Sequence, residues 1–229
     1  MCGISATRRK LEKEHIFPKG LFAPNSIQQP IILSACTSCN RVKAHDEEYV
    51  MPHLALTSAN DAQARASQQK LWQSAKKRAQ PIVLPDQKIM KPGAGVIAGI
   101  IKNVKDIELF SQSGVYEGQG GSINVDSQRF TNFYIRIAQG IATSIEGRII
   151  DWDKFKTRHK WDFYTYQQTD LTKHYLFAFR YATHRETWDT ALTYAYLSMR
   201  RESGGLTNLC AISIYNEHLA LISFDQKKQ

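Results

Sequence analysis

Residues 11–18 read LEKEHIFP and residues 36–40 read CTSCN. The first stretch has the length and composition of a short strand that Pro18 stops. Between them, KGLFAPNSIQQP is loop, punctuated by Gly20, Pro24, Asn25 and Pro30, and IILSA is a second short β-branched run. After Cys39, NRVKAHDEEYVMPHLAL predicts a helix that breaks near Pro52. Residues 1–55 therefore read as strand, loop, strand, helix in a compact, loop-rich unit.

Outward from this unit, residues 58–80 are rich in Ala, Gln and Lys and predict a polar, basic helix. Residues 81–92 form a hinge between Pro81 and Pro92. Residues 93–103, GAGVIAGIIKN, carry a GxGxxxG spacing with no clear strand before it, which argues against a nucleotide loop. Residues 111–122 read as a turn-rich loop. Residues 126–145 place Phe130, Phe133, Ile137, Ile141 and Ile145 on one helical face, with Asp126 or Ser127 as cap. HYLFAFRYA (174–182), TALTYAYLSM (190–199), NLCAISIY (208–215) and HLALISF (218–224) read as antiparallel strands, the last two joined by a turn at Asn216 and Glu217. The predicted class is α+β, divided into a module at 1–55, a basic helix and linker at 56–92, and an α+β region with an antiparallel sheet at 93–229.

The chain has 229 residues, 42% hydrophobic and 22% charged, enough for a real core. Thirty Lys+Arg against 21 Asp+Glu leave a net charge of +9. Residues 1–110 hold 16 basic and 9 acidic residues, so the excess concentrates there and points to a polyanionic partner. The apolar run around 96–101 is too short to span a bilayer, so no membrane partner is expected. The opening MCGISATRRKLEKEH has no apolar core of a secretory signal. Four cysteines, two of them in a C-x-x-C, fit a reducing, cytoplasmic compartment and a metal or redox role better than a disulfide scaffold.

Three pieces of the first module carry chemistry together: Cys2-Gly3, Glu14-His15 and Cys36-Thr37-Ser38-Cys39-Asn40. Singly, each has an ordinary reading; Asn40, for instance, suits a helix N-cap. Jointly, a C-x-x-C supplies two thiolates to a tetrahedral Zn²⁺. Such a site would give a small unit roughly 10–16 kcal/mol of folding free energy. It would also draw Asn40 toward the Glu14–His15 strand. A carboxylate and an amide oxygen are hard donors suited to Mg²⁺, and a neutral imidazole beside them can take a proton from water.

These residues, with Ile16-Phe17-Pro18 and Lys43, resemble the HNH (ββα-metal, His-Me finger) endonucleases, in particular the cysteine-knuckle branch that includes recombination endonuclease VII. The resemblance covers about the first 55 residues; a weaker likeness lies in IAQGI (137–141). It implies a small zinc-bound ββα module that hydrolyses phosphodiester bonds, with DNA the favoured substrate. His15 would be the general base. Glu14 and Asn40 would hold one catalytic Mg²⁺ or Mn²⁺. Cys2, Cys36 and Cys39 would bind the structural zinc, with His45 or His53 candidates to complete it. Asn25 would brace the loop behind the histidine. Lys19, Arg41 and Lys43 are candidate nucleic-acid contacts. The first cysteine of the first knuckle would fall before Met1, which also admits a zinc-knuckle nucleic-acid-binding protein without catalysis. The 93–229 region is open to homodimerisation, substrate holding or reception of a regulator. His159, His174, His184 and His218 show no ligand spacing, and Cys210 reads as a buried small hydrophobe.

Overall fold

Leu11–His15 (β1) and Ile32–Cys36 (β2) pair antiparallel, with Leu11 opposite Cys36 and His15 opposite Ile32. Thr37–Thr57 (α1) follows β2 without a break. The computed structural model describes residues 11–23, 31–58, 61–79, 82–83, 89–90, 104–110, 116–162, 170–202 and 204–227. Cys2, Asn25 and the glycine-rich stretch 93–103 lie outside the described residues.

Two expectations for α1 need correction. The helix begins at Thr37 with Cys36 as N-cap, so Asn40 sits inside its first turn rather than capping it. It also runs through Pro52. An interior proline costs about 3 kcal/mol. Here Val50, Met51, Leu54 and Ala55 are all buried around it, each worth on the order of 1 kcal/mol or more, and their packing outweighs the proline. The His53 ring bonds the Tyr49 carbonyl at 2.8 Å in the same weakened turn.

Ala62–Ala79 (α2) lies within the helix expected at 58–80 but starts four residues later, where Asp61 caps it by accepting from the amides of Gln63 and Ala64. Two further hairpins join Ile82–Val83 (β3) to Ile89–Met90 (β4) and Val104–Phe110 (β5) to Tyr116–Ile123 (β6). Over residues 116–122, β6 corrects the loop expected at 111–122, whose first five residues lie outside the described ones. Its glycines lower strand propensity, and pairing with β5 overrides that. Ser127–Glu146 (α3) buries Phe130, Phe133, Ile137 and Ile141, as their spacing predicts.

Five strands form the main sheet: Phe155–Asp162 (β7), His184–Trp188 (β8), Leu192–Arg200 (β9), Leu206–Ile214 (β10) and His218–Gln226 (β11). Their order is β7-β11-β10-β9-β8, antiparallel throughout. The expected strand at 174–182 is instead part of Asp170–Tyr181 (α4). Leu171, Tyr175, Ala178, Phe179 and Ala182 recur at helical spacing, and Ala178 packs on Ala195 and Ala211 of the sheet. The β10–β11 turn is centred on Tyr215 and Asn216, one residue earlier than expected, both with positive φ (54° and 55°). Two successive left-handed residues make a type I′ turn. The Tyr215 hydroxyl donates to the Leu21 carbonyl at 3.1 Å, which ties this turn to the first module.

The chain divides into two compact units, residues 1–68 with 128–229, and residues 69–127. In the first unit, α4 covers one face of the main sheet. The other face receives the β1–β2 hairpin, α1 and α3: Phe17 meets Trp188 and Tyr194, Phe130 stacks on Trp161, and the Tyr196 hydroxyl donates to Glu146. Ile16 lies against Gly140 of α3. A Cβ on Gly140 would come within 2.5 Å of the Ile16 side chain, itself 2% exposed.

Gly140→Ala is expected to cost about 1–2 kcal/mol in urea unfolding. Helix propensity alone would favour alanine by about 1 kcal/mol, so a net loss measures the clash with Ile16.

His218 gives the fold an acid limit. Its buried ring lies 2.7 Å from the Ser58 hydroxyl, and burial lowers its pKa from 6.5 to about 4. The unfolded chain then binds more protons than the folded one between those values, so stability falls as pH drops through 6.5 toward 4. The loss between pH 7.5 and 5 is about 2 kcal/mol. Denaturant titrations at both pH values check it, and His218→Gln should flatten the difference.

Candidate functional site

The site is built where β1 crosses the first turns of α1. Alternation along β1 puts Glu12 and Glu14 on the face toward α1. Helical spacing puts Asn40, Lys43 and Glu47 on the face toward β1. The strand and helix then mesh in a fixed register. Asn40 Nδ2 donates to Glu12 Oε2 at 3.2 Å, and Thr37 donates to the other oxygen of Glu12 at 3.1 Å. One turn on, Lys43 Nζ lies 3.1 Å from Glu14 Oε1 and 2.7 Å from Glu47 Oε1, and also donates to the His15 carbonyl. Glu14 and Lys43 are both buried. Burial raises the Glu47 pKa above its ordinary 4.5, against the opposing pull of Lys43.

A cleft of about 220 Å³ opens beside this cluster, lined by Glu14, Ile16, Ser38, Cys39, Lys43 and Arg136. Arg136 comes from α3, and its guanidinium holds Asp46 of α1 at 2.5 Å. Sequence reasoning did not single it out. The available signal was the register of α3, in which Arg136 lies one turn before the glycine that admits Ile16.

His15 closes β1. It is half-buried, and its Nδ1 is buried without a hydrogen-bond partner among the described residues. Burial, then the Lys19 and Lys43 ammonium groups, hold its pKa below the ordinary 6.5, while Glu14 pulls the other way. The ring is therefore neutral near pH 7 and able to accept a proton. His15 is not among the residues lining the cleft.

Each expected ligand of the catalytic cation is engaged by another side chain. Glu14 is engaged by Lys43, and the Asn40 amide by Glu12. The Lys43 ammonium supplies the positive charge that an ion would bring to Glu14, so the arrangement does not fit a resident cation. Cys36 and Cys39 share one junction, Cys36 as N-cap of α1 and Cys39 in its first turn, and Cys36 Sγ lies 3.2 Å from Ser38 Oγ. Among the described residues no group of three or more His, Cys, Asp or Glu could hold a metal, whereas structural zinc takes four ligands. His53 is buried between Tyr49 and Phe130 and serves the core, and His45 is exposed. Lys43 is buried in ion pairs rather than solvated, whereas Lys19 and Arg41 are exposed. Asp46 and Glu47 are salt-bridged, to Arg136 and Lys43 respectively. Cys210 is fully buried, and burial pushes its thiol up.

No protein family, curated protein or solved structure matches the chain. No helix among the described residues is long and apolar enough to cross a membrane.

Lys43→Met is expected to lower stability at pH 7 by on the order of 3 kcal/mol, because it leaves two carboxylates without their cation. The Glu47 pKa already lies above its unfolded value, so its charged form disfavours folding once pH exceeds about 4.5. The deficit of the variant should therefore shrink as pH falls through the folded pKa, which urea midpoints at pH 5 and 7.5 would register.

Proposed function

We propose that this chain is an endonuclease that hydrolyses phosphodiester bonds, with DNA as the favoured substrate and His15 as general base. The observation that carries the reading is His15 itself: a neutral imidazole at the end of β1 whose Nδ1 has no hydrogen-bond partner among the described residues, and whose sequence neighbours Glu14 and Ile16 line a cleft with Lys43 and Arg136. In this reading His15 takes a proton from water as the water oxygen attacks phosphorus in line. The bond from phosphorus to the leaving oxygen breaks on the opposite side, its electron pair stays on that oxygen, and the oxygen takes a proton from solvent while the His15 imidazolium later returns its proton to solvent. Positioned proton transfer of this kind contributes about 10²–10⁴-fold. The strand–strand–helix order at 11–57 and the basic excess in residues 1–110 agree with it.

Glu14 and Asn40 are the oxygen donors that the HNH resemblance assigns to Mg²⁺ or Mn²⁺, and Cys36 and Cys39 the thiols it assigns to zinc. Because Lys43 engages Glu14, the proton transfer rests on His15 and water. The pairing of Asn40 with Glu12 and of Lys43 with Glu14 favours a second reading, a nucleic-acid-binding protein that keeps the ββα order without cutting.

Nicking of a supercoiled plasmid separates the two. Wild-type protein with Mg²⁺, with Mn²⁺ and with EDTA is compared with His15→Ala. The nuclease reading expects cleavage that the variant loses by at least about 100-fold. Equal cutting by both proteins, or salt-sensitive binding without cutting by either, would sink it, the latter in favour of the second reading.

A further inference from the structure

We infer that Arg136 of α3 is a phosphate-binding residue of the cleft, so that residues 128–229 form part of the nucleic-acid site. The inference rests on the nucleic-acid reading above and assigns the site a contact that the first 55 residues do not contain.

Three observations converge on Arg136. It lines the cleft together with Glu14 and Lys43. It is held there: Asp46, a buried carboxylate on α1, takes one guanidinium nitrogen at 2.5 Å. Its helix is fixed against β1 by the contact between Gly140 and Ile16, one turn further along α3 and next in sequence to His15. A guanidinium carries five N–H donors in a planar fork, and one of its nitrogens goes to Asp46. The side chain keeps 24% exposure, which leaves the rest of the fork room to meet a ligand. Lys43 cannot serve in the same way, because its ammonium is spent on Glu14, Glu47 and the His15 carbonyl. Of the two cations in the cleft, Arg136 is the one with donors to spare. A phosphodiester oxygen is the ligand whose charge and bidentate geometry match a guanidinium. Asp46 would then orient the fork rather than consume it.

The competing role is purely structural: Arg136 would exist to neutralise Asp46 and pin α3 to α1. The two roles differ in what each partner's removal does. Binding of a fluorescein-labelled duplex oligonucleotide in EDTA, followed by anisotropy across a salt series, separates them. Arg136→Gln is expected to weaken binding about 5- to 10-fold and lower the slope of log K against log salt by about one. Asp46→Asn keeps the guanidinium and should retain the full slope. Arg136→Lys, which keeps the charge and guards against misfolding of the glutamine variant, should also retain the slope while losing cleavage rate.

If Arg136→Gln keeps the wild-type slope, or if Asp46→Asn loses as much as Arg136→Gln, the contact is structural and the inference is overturned. A wild-type protein that binds no duplex overturns it as well. The nuclease reading is judged separately with His15→Ala, which should bind with the wild-type slope and not cut. A slope lost on Arg136→Gln in a protein that never cuts upholds the phosphate contact and ends the nuclease reading. Cleavage that depends on His15 but not on Arg136 does the reverse.

Discussion

The closeness of Ile16 to the backbone of α3 at Gly140 governs the rest of the first unit. Only a residue without a Cβ lets α3 lie this near β1. Ile16 is buried on that side, and Phe17, the next residue, goes into the aromatic face of the sheet with Trp188 and Tyr194. Burying such side chains contributes about 1.5–3 kcal/mol each. The hairpin is thus clamped between α3 and the sheet by the two residues that follow His15. Glu14 and His15 inherit their positions from that clamp, and Arg136 inherits its own from the same helix.

Electrostatics in the site follows from this packing. The strand–helix register brings Glu12, Glu14, Asp46 and Glu47 into a small volume. A cluster of buried carboxylates is costly unless cations are held among them. Lys43 and Arg136 meet that demand from two different helices. With burial and Lys19, Lys43 also helps keep His15 neutral. The resemblance to HNH nucleases reads the Glu14 and Asn40 pair as ion ligands. In the folded chain each has found a side-chain partner, because Asn40 lies opposite Glu12 and Lys43 opposite Glu14.

Much of this was legible in the residues. The two strands, read as LEKEHIFP and IILSA, and the existence of a helix after them were legible, since Pro18 and the β-branched run mark them locally, though the helix starts at Thr37, before Cys39. The apolar face of α3 was legible from its period. HYLFAFRYA was not, because an almost continuous apolar run fits a buried strand and a helix equally within nine residues. Only extending the window back to Leu171 brings out the helical spacing. The passage of α1 through Pro52 was hidden because its support comes from tertiary burial, which no local rule reports. The pairing of Lys43 with Glu14 was hidden for a related reason: it depends on which helix turn falls opposite which strand residue. Arg136 was the least visible, since its role depends on a glycine contact between segments more than a hundred residues apart.

The position of β11 sets the order in which these parts can be assembled. This strand follows every other described strand in sequence, yet it lies inside the sheet between β7 and β10, and its first residue, His218, reaches back to Ser58 and the Leu54 carbonyl at the end of α1. Until residues 218–226 emerge, β7 has no neighbour among the described strands and the floor beneath α1 and the hairpin is incomplete. Long-range antiparallel pairing of this kind is slow to form and exposes apolar surface while it waits. A growing chain would therefore carry the Glu14–His15 segment without the surface that aligns it until residues 218–226 slot between β7 and β10.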